Sequence, residues 1–351
     1  MRNLLTLVIC LAVSSLTFTS CQNIQSQDTS NAKPEYALVI HGGAGTILKK
    51  NMTPEREAAY TQALQDALDA GEAVLKAGGS SKDAVIAAIQ LMEENPLFNA
   101  GVGAVFTHEE TVELDASFMD GATLNAGAIA GVKTVKSPIA AARLVMDSSV
   151  HVMLSGKGAE TFAEGMGLEL VENSYFHTDR RLNQIKKIKE SQAFVAPGPY
   201  QGELSFEGIE DYKFGTVGAA ALDKEGNLAA GTSTGGMSNK RFGRIGDAPI
   251  IGAGTYANNA TCAVSCTGHG EYFIRNVVAY DVSARMQYQG LSLAEAGDGV
   301  VMGTLVEEGG SGGLILVDKD GNVHMPFNTS GMYRGYVKST GESSIGIYKD
   351  E

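Results

Sequence analysis

Apolar positions change their spacing repeatedly along this chain, and each change marks an element. Residues 36–41 form an unbroken apolar run of strand length, closed by Gly42-Gly43-Ala44-Gly45, which reads as a glycine loop. Thr53-Pro54 opens a helix: proline suits the first turn, and Ala58, Leu64, Ala67 and Leu75 recur behind it at helical spacing. A second helix covers 81–92. Asn95-Pro96 and the glycines that follow make 95–103 a structured loop, with strands expected at 111–119 and 126–132. Ser137-Pro138 starts a helix to 146, followed by a short strand at 150–154 and helices at 159–166 and 178–191. Between 194 and 213 the pattern dissolves into proline, glycine and acids, as in a linker. Asp115 and Asp120 read as solvated or capping side chains.

Beyond the linker the residues become small and lose helical spacing. Residues 215–223 and 228–236 read as two strands, and Lys224-Glu225-Gly226 suits a three-residue hairpin loop with glycine in the left-handed position. That loop pairs Asp223 with Asn227 and, counted back, sets Thr216 opposite Thr234. A loop at 238–247 carries Lys240, Arg241, Arg244 and Asp247. A strand at 263–266 leads through Thr267-Gly268-His269-Gly270 into a helix at 271–287, with another at 291–307. Thr267 and Gly268 thus stand just ahead of a helix N-terminus, where free N–H groups favour developing negative charge. Strands at 312–318 and 322–327 form a further hairpin, whose Asp318-Lys-Asp-Gly-Asn322 turn repeats Asp223-Lys-Glu-Gly-Asn227. Strands from both halves of the chain, with helical hairpins on either side, imply an α+β fold built as a four-layer αββα sandwich.

Composition narrows the chemistry. The 351 residues are 44% apolar, enough for a full core, and a net charge of −13 argues against nucleic acid or an anionic membrane as partner. Residues 1–20 read as a signal peptide: Arg2, an apolar run from Leu4 to Phe18, then Thr19-Ser20 before Cys21. The run, at about 15 residues, is short of the roughly 20 that span a membrane. Residues 21–35 follow as a flexible tether with Cys21 lipidated, so the expected location is extracytoplasmic, as a periplasmic or outer-membrane-anchored lipoprotein. Cys262 and Cys266 read as two buried thiols, since zinc needs about four nitrogen or sulfur ligands. Gly42–Gly45 lacks the Lys-Ser/Thr of a P-loop, and Gly309-Gly-Ser311-Gly-Gly313 follows a helix where a nucleophile elbow follows a strand. The histidines show no metal spacing. Sequence alone leaves a Ser/His/Asp triad open, because such partners lie far apart in a chain.

Gly215-Thr216 carries the most specific signal. Glycine offers an unhindered carbonyl for self-cleavage, after which Thr216 holds a nucleophilic hydroxyl and, in its new α-amine, a base titrating near about 7.7–8.0. The run from Phe214 to Asp247, with its Phe-Gly-Thr-Val-Gly, Gly-Thr-Ser-Thr-Gly-Gly and Gly-Arg-Ile-Gly-Asp stretches, resembles the plant-type (type III) asparaginase and isoaspartyl peptidase family of N-terminal nucleophile hydrolases. The resemblance extends from residue 36 to the C-terminus. It implies an αββα fold and two fragments, 36–215 and 216–351, parted at Gly215–Thr216. Thr216 is then the nucleophile, Thr234 the hydroxyl that tunes it, and Thr267 and Gly268 the oxyanion hole. Arg244 clamps the substrate α-carboxylate, Asp247 receives the α-ammonium, Gly270 offers backbone beside them, and Asn99 lies near the nucleophile. The implied substrates are β-aspartyl dipeptides and L-asparagine, with no cofactor. A structural sodium ion is implied on the backbone carbonyls of Met92, Glu93, Asn95, Phe98, Ala100 and Val102, and a homodimer of α/β heterodimers as the assembly. Glycosylasparaginase activity and a non-catalytic surface-binding lipoprotein are the alternative readings.

Overall fold

The computed structural model describes residues 33–192 and 215–349. The expected leader, the tether as far as residue 32 and the 194–213 linker lie outside the described residues. Strand β1 (Ala37–Gly45) is followed by α1 (Pro54–Lys76), α2 (Ser81–Glu93), β2 (Leu114–Asp120), β3 (Ala126–Val132), α3 (Pro138–Ser148), β4 (Met153–Ser155), α4 (Gly156–Gly165) and α5 (Asp179–Gln192). Then come β5 (Val217–Leu222), β6 (Leu228–Thr234), β7 (Thr255–Ala257), β8 (Cys262–Gly268), α6 (Gly270–Asn276), α7 (Val278–Gln289) and α8 (Leu293–Asp298). The chain closes with β9 (Gly312–Asp318), β10 (Val323–His324), β11 (Gly331–Lys338) and β12 (Ser343–Tyr348).

The strands form an eight-stranded sheet, ordered β12-β11-β1-β5-β6-β2-β3-β4, and a four-stranded sheet, ordered β10-β9-β8-β7. Period-two alternation distributes side chains between layers. On β1, Leu38 and Ile40 pack with Leu64, Ile89 and Val85 of α1 and α2, while Ala37 and Val39 face the second sheet. On β9, Ile315 and Val317 join that inter-sheet core, while Leu314 and Leu316 pack with Val282 and Leu293 of α7 and α8. Helices, large sheet, small sheet and helices therefore stack as the expected αββα sandwich. Cys262 and Cys266 are buried free thiols, as read, and burial pushes the Cys262 thiol up to about 12.

Local chemistry accounts for most of the boundaries. Thr53 caps α1, its hydroxyl accepting the Arg56 N–H, and Ser80 caps α2 through Asp83 in the same way. The hairpin forms with the anticipated register: Leu222 pairs with Leu228 and Val217 with Ser233, Asp223 N–H donates to the Asn227 carbonyl, and Gly226 takes φ +83°. The Asp318 turn repeats that geometry, with Gly321 at φ +76°.

Several expectations are corrected. Gly42–Gly45 is no loop but the end of β1, continuing its pairing with β11 past a bulge between His41 and Gly43. The helix expected at 271–287 breaks at Val277, which takes the left-handed conformation, φ 48°. The one at 291–307 contains a π-helical turn at Gly299–Thr304. Strands β11 and β12, unassigned in the sequence, complete the large sheet beside β1. Asp120 does cap its turn, accepting the Ala122 N–H, but it is buried. Asp115 is buried outright. It accepts the Gly131 N–H and has the equally buried Lys240 ammonium 3.7 Å from its other oxygen.

Candidate active site

Between the sheets, apolar side chains give way to polar ones at one level on strand after strand. Facing inward, β1 runs Ala37, Val39, His41; β5 runs Leu222, Ala220, Gly218 up to Thr216; β6 runs Leu228, Ala230, Thr232, Thr234; and β8 runs Ala263, Ser265, Thr267. The candidate residues gather at this polar end.

Thr216 immediately precedes β5, and its hydroxyl donates to Thr234 Oγ1 at 3.0 Å, as the hairpin register requires. Thr234 Oγ1 also accepts the Gly236 N–H at 2.9 Å. The Gly215 carbonyl accepts the Asn99 backbone N–H at 3.0 Å. Asn99 is held in turn by its side chain, which donates to the Gly236 carbonyl at 2.8 Å and accepts the Val105 N–H at 2.8 Å. Gly215 is wedged: a Cβ on it would lie 2.6 Å from Asn99 Cβ, and one on Gly43, which has φ +112°, would lie 2.5 Å from Gly215 Cα. The glycines that end β1 thus bring its backbone directly against the Gly215–Thr216 junction. His41, fully buried, makes a 2.9 Å bond from Nδ1 to the Thr216 carbonyl, and burial drives its pKa down to about 3, so it is neutral.

Thr267, buried at the end of β8, accepts the Ala44 N–H at 3.3 Å through Oγ1, tying that strand to β1 across the sheets. Gly268 packs so closely on Gly312 and the Phe273 ring that a Cβ would come within 2.6 Å of the ring. Gly270 packs as closely on Arg244 and Asp247. A Cβ there would lie 2.8 Å from Arg244 Nη2 and 2.9 Å from Asp247 Oδ1, so Arg244, Asp247 and Gly270 converge on one spot. Asp247 is buried with Oδ2 unpartnered, and burial pushes its carboxyl up to about 7 against the pull of Arg244. A buried acceptor without a donor is costly unless a ligand supplies one.

Two acidic side chains were missed in the sequence. Glu271 receives the fork of Arg244, Nε at 3.0 Å and Nη2 at 2.9 Å, and lies 3.3 Å from His269 Nε2. Although burial alone would raise the Glu271 carboxyl, the Arg244 fork outweighs it and holds it below the ordinary range. Its only sequence signal is an acid in the first turn after the Thr267-Gly268 segment. Glu93, expected only as a backbone ligand, buries its carboxylate on the helix side of the sheet and accepts Ser233 Oγ at 2.6 Å, Ser137 Oγ at 2.7 Å and the Ile139 N–H at 2.9 Å. Burial raises it to about 7. Among the described residues no cluster of His, Cys, Asp or Glu side chains suits a metal ion.

The chain is similar to known proteins over most of its length. The chain is 52% identical over 317 residues to the isoaspartyl peptidase of Escherichia coli K12, covering 90% of this chain and 96% of that one. It is 43% identical over 327 residues to a probable isoaspartyl peptidase/L-asparaginase of Arabidopsis thaliana, covering 90% and 99%. It is 41% identical over 304 residues to a plant-type L-asparaginase of Pyrococcus horikoshii, covering 86% and 96%. These relatives also correct one expectation. The extracytoplasmic location rested on residues 1–21, which the family match does not reach. The relatives named above are peptidases and asparaginases, and they overturn the periplasmic or outer-membrane-anchored location. With a match spanning residues 34–347, the chain belongs to the asparaginase family that the Phe214–Asp247 run resembles.

Proposed function

We propose that this protein is a threonine amidohydrolase that cuts itself between Gly215 and Thr216, then hydrolyses β-aspartyl dipeptides and L-asparagine. One observation carries the reading: the Thr216 hydroxyl is bonded to Thr234 directly beside a glycine carbonyl already polarised by the Asn99 N–H. In self-cleavage Thr216 Oγ1 attacks the Gly215 carbonyl carbon, and the Asn99 N–H steadies the oxyanion. The C–N bond breaks to leave an ester on Oγ1 and a free Thr216 α-amine. Water hydrolyses the ester, releasing Gly215 as a carboxylate. Residues 36–215 and 216–351 are then the α and β fragments, and two such pairs assemble as a homodimer.

In turnover the α-amine takes the hydroxyl proton as Oγ1 attacks the substrate's β-carbonyl, and Thr267 and Gly268 hold the developing oxyanion. The proton passes to the departing amine or ammonia, and water then cleaves the β-aspartyl ester. Arg244 binds the substrate α-carboxylate with its fork, exchanging Glu271 for it, and Asp247 receives the α-ammonium alongside Gly270. That ammonium supplies the donor Asp247 Oδ2 lacks. Nucleophile and base both come from Thr216, so the reaction calls for no cofactor. Among the described residues no backbone N–H outside the helices and strands is bonded to the carbonyls of Phe98, Ala100 and Val102, which suits a hard cation, whereas those of Met92, Glu93 and Asn95 accept the Asn95, Val102 and Phe98 N–H groups. A sodium ion on these and on Met92, Glu93 and Asn95 would supply fixed charge beneath the loop carrying Asn99.

Glycosylasparaginase and a binding lipoprotein are not favoured, since the relatives are named for the isoaspartyl and asparaginase activities. A denaturing gel with N-terminal sequencing tests the reading. The wild type is expected as two pieces, the shorter beginning at Thr216, and Thr216→Ala as one piece with turnover reduced at least about 10³-fold. A wild type that stays whole, or an alanine variant that hydrolyses β-aspartyl dipeptides normally, would sink it.

A further inference from the structure

The polar end of the inter-sheet layer holds a chain of buried side chains that the chemistry above does not use. His41 Nε2 lies 2.9 Å from Ser265 Oγ, Ser265 Oγ lies 2.6 Å from Thr232 Oγ1, and Thr232 Oγ1 is bonded in turn to Thr255 Oγ1. All four residues are completely buried. Ser117 Oγ, 2.8 Å from Thr255 Oγ1, donates to the Ala248 carbonyl at 2.6 Å and anchors the far end.

Proton bookkeeping fixes the direction at the His41 end of this chain. The Thr216 carbonyl only accepts, so His41 Nδ1 carries the imidazole proton and Nε2 is an acceptor. Ser265 therefore donates to Nε2, which leaves its oxygen to accept from Thr232. The Gly254 carbonyl, 3.1 Å from Thr232 Oγ1, competes for the one Thr232 proton, so the direction is fixed at His41 and Ser265 and not beyond them. Gly218 keeps the path open, since a Cβ there would lie 2.0 Å from Ser265 Oγ and 2.4 Å from His41 Nε2.

The consequence falls on Thr216. Its Cα bears three heavy arms: the side chain, the carbonyl and the nitrogen that self-cleavage frees. Thr234 holds the first and His41 the second. With two arms pinned on a chiral centre, the third has one direction. We infer that His41, locked in a single tautomer by the Thr216 carbonyl on Nδ1 and by Ser265, itself packed on Thr232, on Nε2, is a positioning residue that aims the Thr216 α-amine at its own hydroxyl. This rests on the reading of Thr216 as nucleophile and base. It adds that the base is oriented from the carbonyl side, through groups that never touch substrate.

The test uses full-length variants purified after self-cleavage, with a β-aspartyl dipeptide as substrate. Ser265→Ala and Thr232→Val are expected to lower kcat by roughly 10- to 100-fold with KM within about twofold, because misaiming a base slows chemistry and leaves binding alone. The acid limb of the kcat–pH profile should move as well. His41→Asn, whose amide N–H replaces Nδ1–H, should keep about tenfold more kcat than His41→Gln, whose amide sits where Nε2 was. Should a variant mature slowly, kcat is taken per mole of cleaved chain, counted on a denaturing gel. Wild-type kcat in both Ser265→Ala and Thr232→Val overturns the inference, as does equal loss in the two His41 variants. In those cases wild type still self-cleaves and Thr216→Ala stays inert, so the nucleophile reading survives. A wild type that stays whole and inert overturns both.

Discussion

A carboxyl that burial drives up to about 7, as at Asp247, is half protonated in neutral water before substrate arrives. Receiving an α-ammonium requires the ionised form, so the free protein below pH 7 must shed a proton to bind. The sign is therefore fixed: through Asp247, kcat/KM falls as pH drops below about 7. In the proposed mechanism the Thr216 α-amine, a group whose ordinary value is about 7.7–8.0, must also be unprotonated, which adds a second proton to the same limb and carries it up to about pH 8. We expect log kcat/KM to fall by about two per pH unit at pH 5–6 and, in Asp247→Asn, by about one. The substitution should also raise KM roughly 10- to 100-fold, the range of a lost charged hydrogen bond. A limb of unchanged slope in that variant would show that Asp247 does not take part. Residues of this kind were half legible in the sequence. Arg244 and Asp247 stand three apart in one loop, but Glu271, which holds the Arg244 fork, is 27 residues away and meets it only in the fold. His41 and Ser265 are separated by 224 positions and lie on different sheets, and only the packing of one sheet on the other brings them together.

Elements were legible where their signals are local. The caps at Thr53 and Ser80 and the three-residue loop ending in Gly226 each act over a few residues, and each element begins or turns where its signal stands. Illegible elements were those decided by distant partners. The glycines at 42–45 look like a loop, yet β11 pairs with them across the chain and makes them strand. The break between α6 and α7 is another such case. Val277 adopts φ 48°, a conformation disfavoured for β-branched residues, and so turns the first amides of α7 outward. Those of Ala279 and Tyr280 donate to the carbonyls of Ala253 and Gly252, and so tie α7 to the segment between Asp247 and β7. An L-residue in the left-handed region costs roughly 1–2 kcal/mol, and glycine avoids most of that at a smaller cost in unfolded-chain entropy. Val277→Gly should stabilise by about 1 kcal/mol and raise the melting midpoint by roughly 1–3 °C with turnover unchanged. Since Val277 is 44% exposed, little packing is lost. A lower midpoint would mean that its contact with Gly252 outweighs the strain.

Cleavage after residue 215 would leave β1 to β4 on one fragment and β5 to β12 on the other, and the strand order then decides how the molecule behaves. Along β11-β1-β5-β6-β2, the pairings β11–β1, β1–β5 and β6–β2 each join different fragments, and only β5–β6 lies within one. Strand β1 is thus clasped on both edges by the C-terminal fragment, and the hairpin that follows Thr216 is inserted between two strands of the N-terminal fragment. Separating the pieces means breaking three backbone ladders and opening both the helix-facing and inter-sheet cores, which is equivalent to unfolding. The cleaved protein is expected to elute as one species on native size exclusion, to melt in one transition, and to divide only in denaturant. Refolding should differ sharply between the cut and uncut forms. Pairing of β1 with β5 is intramolecular in the uncleaved Thr216→Ala chain, so its refolding rate should not depend on protein concentration. In the cut protein the same pairing is an encounter between two chains, so recovery should accelerate as concentration rises and fail on high dilution. Fragments that part without denaturant, or a cut protein that refolds at a rate independent of concentration, would contradict the interleaving. Self-cleavage in this fold would therefore be a step taken once and after folding, because the sheet that aligns Gly215 and Thr216 for the cut must already contain both fragments.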